Sequence, residues 1–106
     1  EYGRKPQLRS APSEVLVTVF DQSLLSTSAR IAALIRSAGL KTELYPEAVK
    51  LDKQLKYANA QAIPIALVIG PDEAGQNQAT LKDLRSGQQQ TIGLDQIAET
   101  IRSLLK

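Results

Sequence analysis

The sequence contains no cysteine and no histidine among its 106 residues. Thiolate and imidazole groups are the ligands of most protein zinc, iron and copper sites, and they also supply nucleophiles and the acid/base groups that titrate near neutral pH. The absence of cysteine fits a reducing compartment. The chain lacks an apolar run of the roughly 20 residues that span a membrane, and its polar N-terminal segment does not resemble a signal peptide. We therefore expect a cytoplasmic domain that is not catalytic by itself.

Positive charge is only slightly in excess and lies at one end of the chain. Lysine and arginine outnumber aspartate and glutamate by 13 to 11. Residues 1–13 hold three basic residues against Glu1, so they account for the net charge of +2 and the remainder is neutral. The prolines and missing apolar period of this segment predict a linker or tail over 1–13, and a folded domain over 14–106. The net charge therefore does not predict a nucleic-acid partner, and only a local cluster of positive side chains can indicate one.

Apolar patterns with the periods of strands and helices alternate along the domain, and each run ends at a polar or glycine/proline segment. The predicted elements are a strand over 15–20, a helix bearing Ile31, Leu34, Ile35 and Ala38 that stops at Gly39, a strand over 40–45, a helix with the stripe Leu51, Leu55, Ala58 and Ala62, a strand over 65–69, a turn over 72–77, a hairpin over 78–92, and a helix bearing Ile97, Ile101, Leu104 and Leu105.

This order of elements predicts the fold class. Strands that alternate with helices imply right-handed crossovers and parallel pairing, whereas the hairpin adds an antiparallel strand. We predict a three-layer α/β/α domain with a mixed, mostly parallel five-stranded sheet and three helices. Ligands of such folds bind at the carboxyl ends of the parallel strands, near the point where the strand order reverses. Those ends are the loops after Phe20, Tyr45 and Ile69.

Two segments of the chain are candidates for catalysis or phosphate binding, and neither has the residues that the function needs. Asp72 and Glu73 are adjacent acids, but in a polar turn both are expected to be solvated rather than driven to different pKa values by burial. The glycine-spaced segment 70–75 has acids and a proline where a phosphate cradle needs free backbone N–H groups. The sequence therefore predicts no catalytic residues, no metal site and no cofactor within this domain.

The polar face of the second helix carries a local cluster of positive charge. On a helical wheel Lys53 and Lys56 lie about 60° apart on the face opposite the apolar stripe, with Lys50 at its flank and Tyr57 beside them. Two interpretations stay open at this point. The lysines either form an ordinary solvated helix face, or they neutralise RNA phosphates while Tyr57 stacks on a base. For Tyr57, half-buried packing is the preferred interpretation.

Several linked segments resemble one family. They are KLDKQLKYAN at 50–59, IALVIG at 65–70 with the acids at 72–73, TLKDL at 80–84 and SGQQ at 86–89. In this order and spacing, over residues 14–105, the sequence resembles the C-terminal anticodon-binding domain of histidyl-tRNA synthetases. The opening strand and helix are less specific, because the threonyl, prolyl and glycyl synthetases share that pattern. Residues 1–13 then resemble the join to a catalytic domain.

The resemblance implies a domain that docks on the anticodon stem-loop of histidine tRNA. The parent would be a homodimeric ligase that binds ATP and Mg²⁺ in a separate catalytic domain of the same chain, with no membrane partner. The residues that the resemblance places at the RNA are Glu73 and Lys82 at anticodon bases, Glu47, Asp21 and Gln22 in the loops after the first two strands, and Lys53 and Lys56 on the second helix. The alternative is a synthetase-derived domain reused as a regulatory or protein-interaction module without tRNA specificity.

Overall fold

The computed structural model describes residues 13–105, which form five strands, four α-helices and one 3₁₀ turn. Apart from Ser13, the predicted linker over 1–13 lies outside the described residues, as does Lys106. The elements are β1 (Val15–Val17), a 3₁₀ turn (Gln22–Leu24), α1 (Leu25–Ser37), β2 (Thr42–Leu44), α2 (Leu51–Ala60), β3 (Ile65–Val68), α3 (Pro71–Gly75), β4 (Gln78–Asp83), β5 (Gln88–Gly93) and α4 (Ile97–Leu105).

The five strands form one sheet in the order β2-β1-β3-β4-β5. Strand β1 lies at the centre of its parallel part, where Val15 is opposite Thr42 of β2 and opposite Ile65 of β3. Strand β4 runs antiparallel to both of its neighbours. Four of the five strands therefore point in the same direction, and the prediction of a mixed, mostly parallel sheet is confirmed.

Helices cover the two faces of the sheet unequally. Successive side chains of a strand point to opposite faces. On one face α1 and α4 pack over the larger core; on the other, Ala58 of α2 packs over Leu16 together with Ile63. The larger core consists of Val15, Val17, Ile31, Ala32, Ile35, Leu40, Ile65, Leu67, Ile69, Ala79, Leu81, Ile92, Ile97 and Ile101. The predicted three-layer arrangement is thus confirmed.

Part of the face that carries α2 is uncovered. Lys82 pairs with Ala66 on one side and with Gln89 on the other, and Thr80 pairs with Thr91. Gln89 and Thr91 are exposed, while Thr80 and Lys82 are half-buried. The hydroxyl oxygens of the two threonines lie 3.2 Å apart. These polar side chains form an open half-face over β4 and β5, and they are polar because they meet solvent.

The structure has one helix more than the three predicted. Helix α3 occupies the segment predicted as a turn over 72–77. Pro71 fits the first position of a helix, where its fixed φ is favourable and its missing N–H costs nothing. The carboxylate of Glu73 accepts the backbone N–H of Gly70 at 2.7 Å, which satisfies one of the donors left unpaired at a helix start. The proline and this hydrogen bond favour one helical turn over an open loop.

Two positions of the predicted apolar stripes are exposed. Leu34 is 46% exposed on the outer side of α1. Ala62 lies beyond the end of α2, is exposed and has a positive φ of 59°. The predicted end of α1 at Gly39 is confirmed, because Gly39 has a φ of 93° and its N–H donates to the carbonyl of Arg36 at 2.9 Å.

Arg85 joins the turn of the β4–β5 hairpin to the end of α4. Its Nε and Nη2 donate to the two carboxylate oxygens of Asp83, each at 3.1 Å, and Nη2 also donates to the carbonyl oxygen of Leu104 at 2.8 Å. The last carbonyls of a helix have no partner within it, so this contact caps α4. The side-chain hydrogen bonds from Arg85 lower the pKa of Asp83 below its ordinary value.

Candidate nucleic-acid interface

The strand order reverses between β1 and β3, and we call the region beyond the carboxyl ends of these two strands the crevice. After β1 the chain turns to one side to form β2, and after β2 it crosses to the other side of β1 to form β3. The connections that leave β1 and β3 therefore diverge, which is the arrangement that opens a binding crevice at the carboxyl edge of a sheet. Phe20 and Gly70 border it: a methyl group placed on Gly70 would lie 3.8 Å from Cδ1 and Cε1 of the Phe20 ring.

Buried polar side chains fix the backbone that leads from β1 into this crevice. Thr18 donates through both its N–H and its Oγ1 to the carbonyl of Leu67, at 3.0 and 2.8 Å. The carbonyl of Thr18 in turn accepts the hydroxyl of Ser28, in α1, at 2.9 Å. Thr18 and Ser28 are both fully buried. The segment just before Phe20 is therefore held by β3 on one side and by α1 on the other.

Gln54 is the third of these buried side chains, and it ties the same segment to α2. Its Oε1 accepts the backbone N–H of Val19 and its Nε2 donates to the carbonyl of Val19, both at 2.8 Å. The same amide donates to the carbonyl of Val49 at 2.8 Å. Gln54 is completely buried, so its amide joins the loop after β1 to the loop that enters α2.

Of the predicted site residues, Asp21, Gln22 and Glu73 lie at the ends of β1 and β3. Asp21 directly precedes the 3₁₀ turn, and its carboxylate accepts the hydroxyl of Ser23. Gln22 is exposed. Glu73 is half-buried and directs one carboxylate oxygen to Gly70, so part of its hydrogen-bonding capacity is used within α3. The structure thus brings these three polar groups to the same edge of the sheet.

Glu47 and the predicted lysines follow β2. Glu47 is exposed in the loop between β2 and α2. Lys53 and Lys56 are also exposed, and with Lys50, Asp52 and Val49 they line a surface concavity of about 480 Å³. The predicted clustering of the lysines on one face of α2 is therefore observed. Val49, one of these lining residues, is also the residue whose carbonyl accepts the Gln54 amide.

Lys82 lies apart from the loops at the carboxyl edge. It pairs with Ala66, two residues before the position where Val68 pairs with Thr80. Its place is therefore inward from the edge, on the open half-face of β4 and β5. The resemblance implies that Glu73 and Lys82 each contact anticodon bases; the structure puts Glu73 at the edge and Lys82 on the adjoining flat surface.

Tyr57 is half-buried, in agreement with the packing interpretation. Its hydroxyl donates to Oε1 of Glu43 at 2.6 Å, and its ring packs edge-on against Tyr45 with the ring centroids 5.5 Å apart. The other carboxylate oxygen of Glu43 accepts the hydroxyl of Ser13 at 2.6 Å. These contacts hold Tyr57 in the packing between α2 and β2.

Sequence reasoning missed two residues of this region, Phe20 and Gln54. The sequence predicts Phe20 as the last residue of the strand over 15–20, but β1 ends at Val17 and Phe20 is 48% exposed. Gln54 lies three residues after Leu51 and four before Ala58, within the buried stripe of α2. A glutamine at such a position is the signal that could have indicated a polar contact inside the core.

Neither a membrane span nor a metal cluster is found in the part of the chain that the structure describes. None of the helices formed by residues 13–105 is long and apolar enough to cross a membrane. Over the same range, no three side chains of His, Cys, Asp or Glu are grouped so that they could hold a metal ion.

Comparisons with known proteins identify the family. The family model of the anticodon-binding domain matches residues 14–104. The chain is 36% identical over 96 residues to histidine-tRNA ligase of Cytophaga hutchinsonii, covering 91% of this chain and 21% of that protein. It is 40% identical over 94 residues to the corresponding enzyme of Wolinella succinogenes, covering 88% and 21%. The chain thus spans about a fifth of the length of the curated relatives it matches.

Solved structures agree with these matches. The crystal structure of histidyl-tRNA synthetase from Nostoc sp. PCC 7120 superposes with a TM-score of 0.88 at 34% identity, over 91% of this chain and 23% of that one. The RNA-binding domain of threonyl-tRNA synthetase from Cryptosporidium parvum superposes with a TM-score of 0.81 at 19% identity, over 88% and 24%, and so shares the fold. The resemblance found in the sequence is confirmed, and the chain belongs to the anticodon-binding domain family.

Proposed function

We propose that this chain is the tRNA anticodon-binding module of a cytoplasmic histidine-tRNA ligase. In this proposal it recognises the anticodon stem-loop of histidine tRNA, while a separate catalytic domain of the same polypeptide, within a homodimer, binds ATP and Mg²⁺ and aminoacylates the tRNA. The observation that carries the proposal is the family match over residues 14–104, which leaves out only the first and last of the described residues and includes the crevice between β1 and β3.

Two kinds of contact contribute to RNA binding, one to its affinity and the other to its specificity. The lysines on α2 supply a term that depends on salt and not on sequence, because each neutralised phosphate releases counterions. The polar groups at the carboxyl edge supply discrimination, because a carboxylate accepts hydrogen bonds from the amino groups of guanine or cytosine, and each good bidentate contact is worth about 1–3 kcal/mol. Unpaired loop bases present those edges freely, whereas bases in an A-form stem do not.

A titration with matched RNAs tests the proposal. The chain is titrated with the fluorescently labelled histidine anticodon stem-loop, and with a stem-loop that differs only in its anticodon, over a series of salt concentrations. We expect tighter binding of the histidine loop at every salt concentration. Equal affinity for both loops throughout would contradict the proposal and favour the alternative of a domain reused as a regulatory or protein-interaction module.

Glu73→Gln tests the role of the acid at the crevice. The amide oxygen of glutamine can still accept the N–H of Gly70, so α3 keeps its first-turn hydrogen bond while the negative charge is lost. We expect the preference for the histidine loop to fall by about tenfold, within the range for one bidentate base contact. The slope of affinity against salt is expected to stay nearly constant.

Glu99→Gln is the matched control, since Glu99 is an exposed acid on α4. It removes the same charge from a different helix and should leave the preference unchanged. Equal effects of the two substitutions would show that Glu73 acts only through the overall charge. Glu73→Ala is the poorer test, because it also removes the hydrogen bond to Gly70.

A further inference from the structure

We propose that Phe20 is a stacking platform for one unpaired nucleotide of the bound RNA loop. This inference rests on the proposed function and deepens it, because it assigns to one side chain the part of the affinity that depends neither on salt nor on base identity. Stacking on an aromatic ring has this character because every base has a π-face.

The exposure of Phe20 is the first observation. Within residues 13–105, Phe20 and Leu34 are the large hydrophobic side chains that stay exposed, at 48% and 46%. Leaving such a ring half in water forgoes part of the stabilisation that burial would give. Leu34 lies on the outer side of a helix, whereas Phe20 lies at the carboxyl edge of the sheet beside Gly70. Only Phe20 of these two is at the crevice.

The rigidity of the preceding backbone is the second observation. Thr18 and Val19 come directly before Phe20, and their backbone groups are hydrogen-bonded to β3, to Ser28 of α1 and to Gln54 of α2. The ring is therefore carried by a segment that is fixed before any ligand arrives. Fixing a contact residue in advance reduces the ordering cost of binding.

The neighbourhood of the ring is the third observation. A methyl group placed on Gly70 would meet Oε1 of Glu73 at 2.8 Å and the Phe20 ring at 3.8 Å, so the ring and the carboxylate border the same glycine. An aromatic face next to a hydrogen-bond acceptor suits a splayed nucleobase, which combines a flat apolar face with a polar edge. Phe20 then supplies affinity for any base and Glu73 supplies preference among bases.

The experiment compares four variants of the chain with the wild type. Phe20→Ala and Phe20→Leu remove the aromatic face, Phe20→Tyr keeps it, and Leu34→Ala removes a side chain of similar exposure away from the crevice. Affinities are measured for the histidine stem-loop and for the loop with the changed anticodon. A second readout uses 2-aminopurine at each anticodon position in turn, because its fluorescence is quenched when the base stacks.

The variants that lack the aromatic ring should differ in affinity from those that keep it. Phe20→Ala and Phe20→Leu should weaken binding of both loops by about 5- to 100-fold, with no change in the salt slope. Phe20→Tyr and Leu34→Ala should stay within about twofold of the wild type, as surface changes usually do. The wild type should quench 2-aminopurine at one anticodon position, and Phe20→Ala should abolish that quenching. Thermal unfolding of each variant checks that the fold is retained.

Two outcomes would overturn the inference while leaving the proposed function intact. In the first, the wild type prefers the histidine loop, but the Phe20→Ala variant binds both loops as tightly as the wild type does. In the second, Phe20→Ala binds weakly but Phe20→Tyr is equally weak, so that the ring itself is not what matters. If the wild-type chain binds neither loop, the proposed function fails, and this inference fails with it.

Discussion

Replacing Gln54 with leucine should lower the free energy of unfolding by about 2–4 kcal/mol. Leucine fills a similar volume but leaves the N–H and carbonyl of Val19 without their partner. Val19 is fully buried, and an unsatisfied buried backbone group costs about 1–3 kcal/mol, so two groups cost about 2–6 kcal/mol. Burial of the apolar leucine offsets part of this. The carbonyl of Val49 adds less, because Val49 is only half-buried.

Urea denaturation followed by circular dichroism measures this effect. The midpoint should fall while the slope stays unchanged, and in a domain of this size the melting temperature should drop by about 8–30 °C. Gln61→Leu is the matched control, because Gln61 is exposed just after α2 and should change stability by no more than about 0.5 kcal/mol. Equal stability of Gln54→Leu and the wild type would refute the claim that this amide holds the loop after β1.

Two further predictions concern charge. Replacing Lys53 and Lys56 together with alanine should weaken the binding of all stem-loops. The slope of log affinity against log salt should become shallower by roughly 1.4–1.8, as for two lost phosphate contacts. An unchanged slope would show that these lysines of α2 do not contact phosphates. Because Arg85 lowers the pKa of Asp83, their ion pair stabilises the fold above about pH 4 and the stabilisation is lost as the pH falls through the folded-state pKa. The difference in urea midpoint between wild type and Asp83→Asn should therefore shrink between pH 7 and pH 2, and a constant difference would contradict this linkage.

Local patterns were sufficient to predict most of the fold. The β-branched run that begins at Val15, the helical spacing of Ile31 and Ile35, and the apolar strand at Ile65 each reflect burial on a face that the backbone period determines. The topology followed from the alternation of these elements and from the handedness of crossovers. The short helix α3 was missed because it is favoured by Pro71 at its first position and by the contact from Glu73 to Gly70, and not by an apolar period.

The candidate site was harder to predict because its architecture depends on contacts between distant segments. Gln54 meets Val19, which is 35 residues away in the sequence, and no local pattern reveals such a pair. The resemblance placed Glu73 after the third strand and Lys82 in the fourth, as observed, but it did not show that one lies at the sheet edge and the other on the open half-face. The clustering of Asp21 with Glu73 at the carboxyl edge did follow from the topology, since parallel strands end at the same edge. That these side chains contact RNA remains a prediction.

The central place of β1 has a consequence for engineering this domain. The strand that comes first in the described chain is the one that joins β2 to the other three strands, through pairs that span 27 and 50 residues of sequence, such as Val15 with Thr42 and Val15 with Ile65. Deleting or displacing residues 15–17 would therefore split the sheet in two rather than trim its edge. A circular permutation that opens the exposed hairpin turn at Ser86 and Gly87 would instead leave every parallel pair intact.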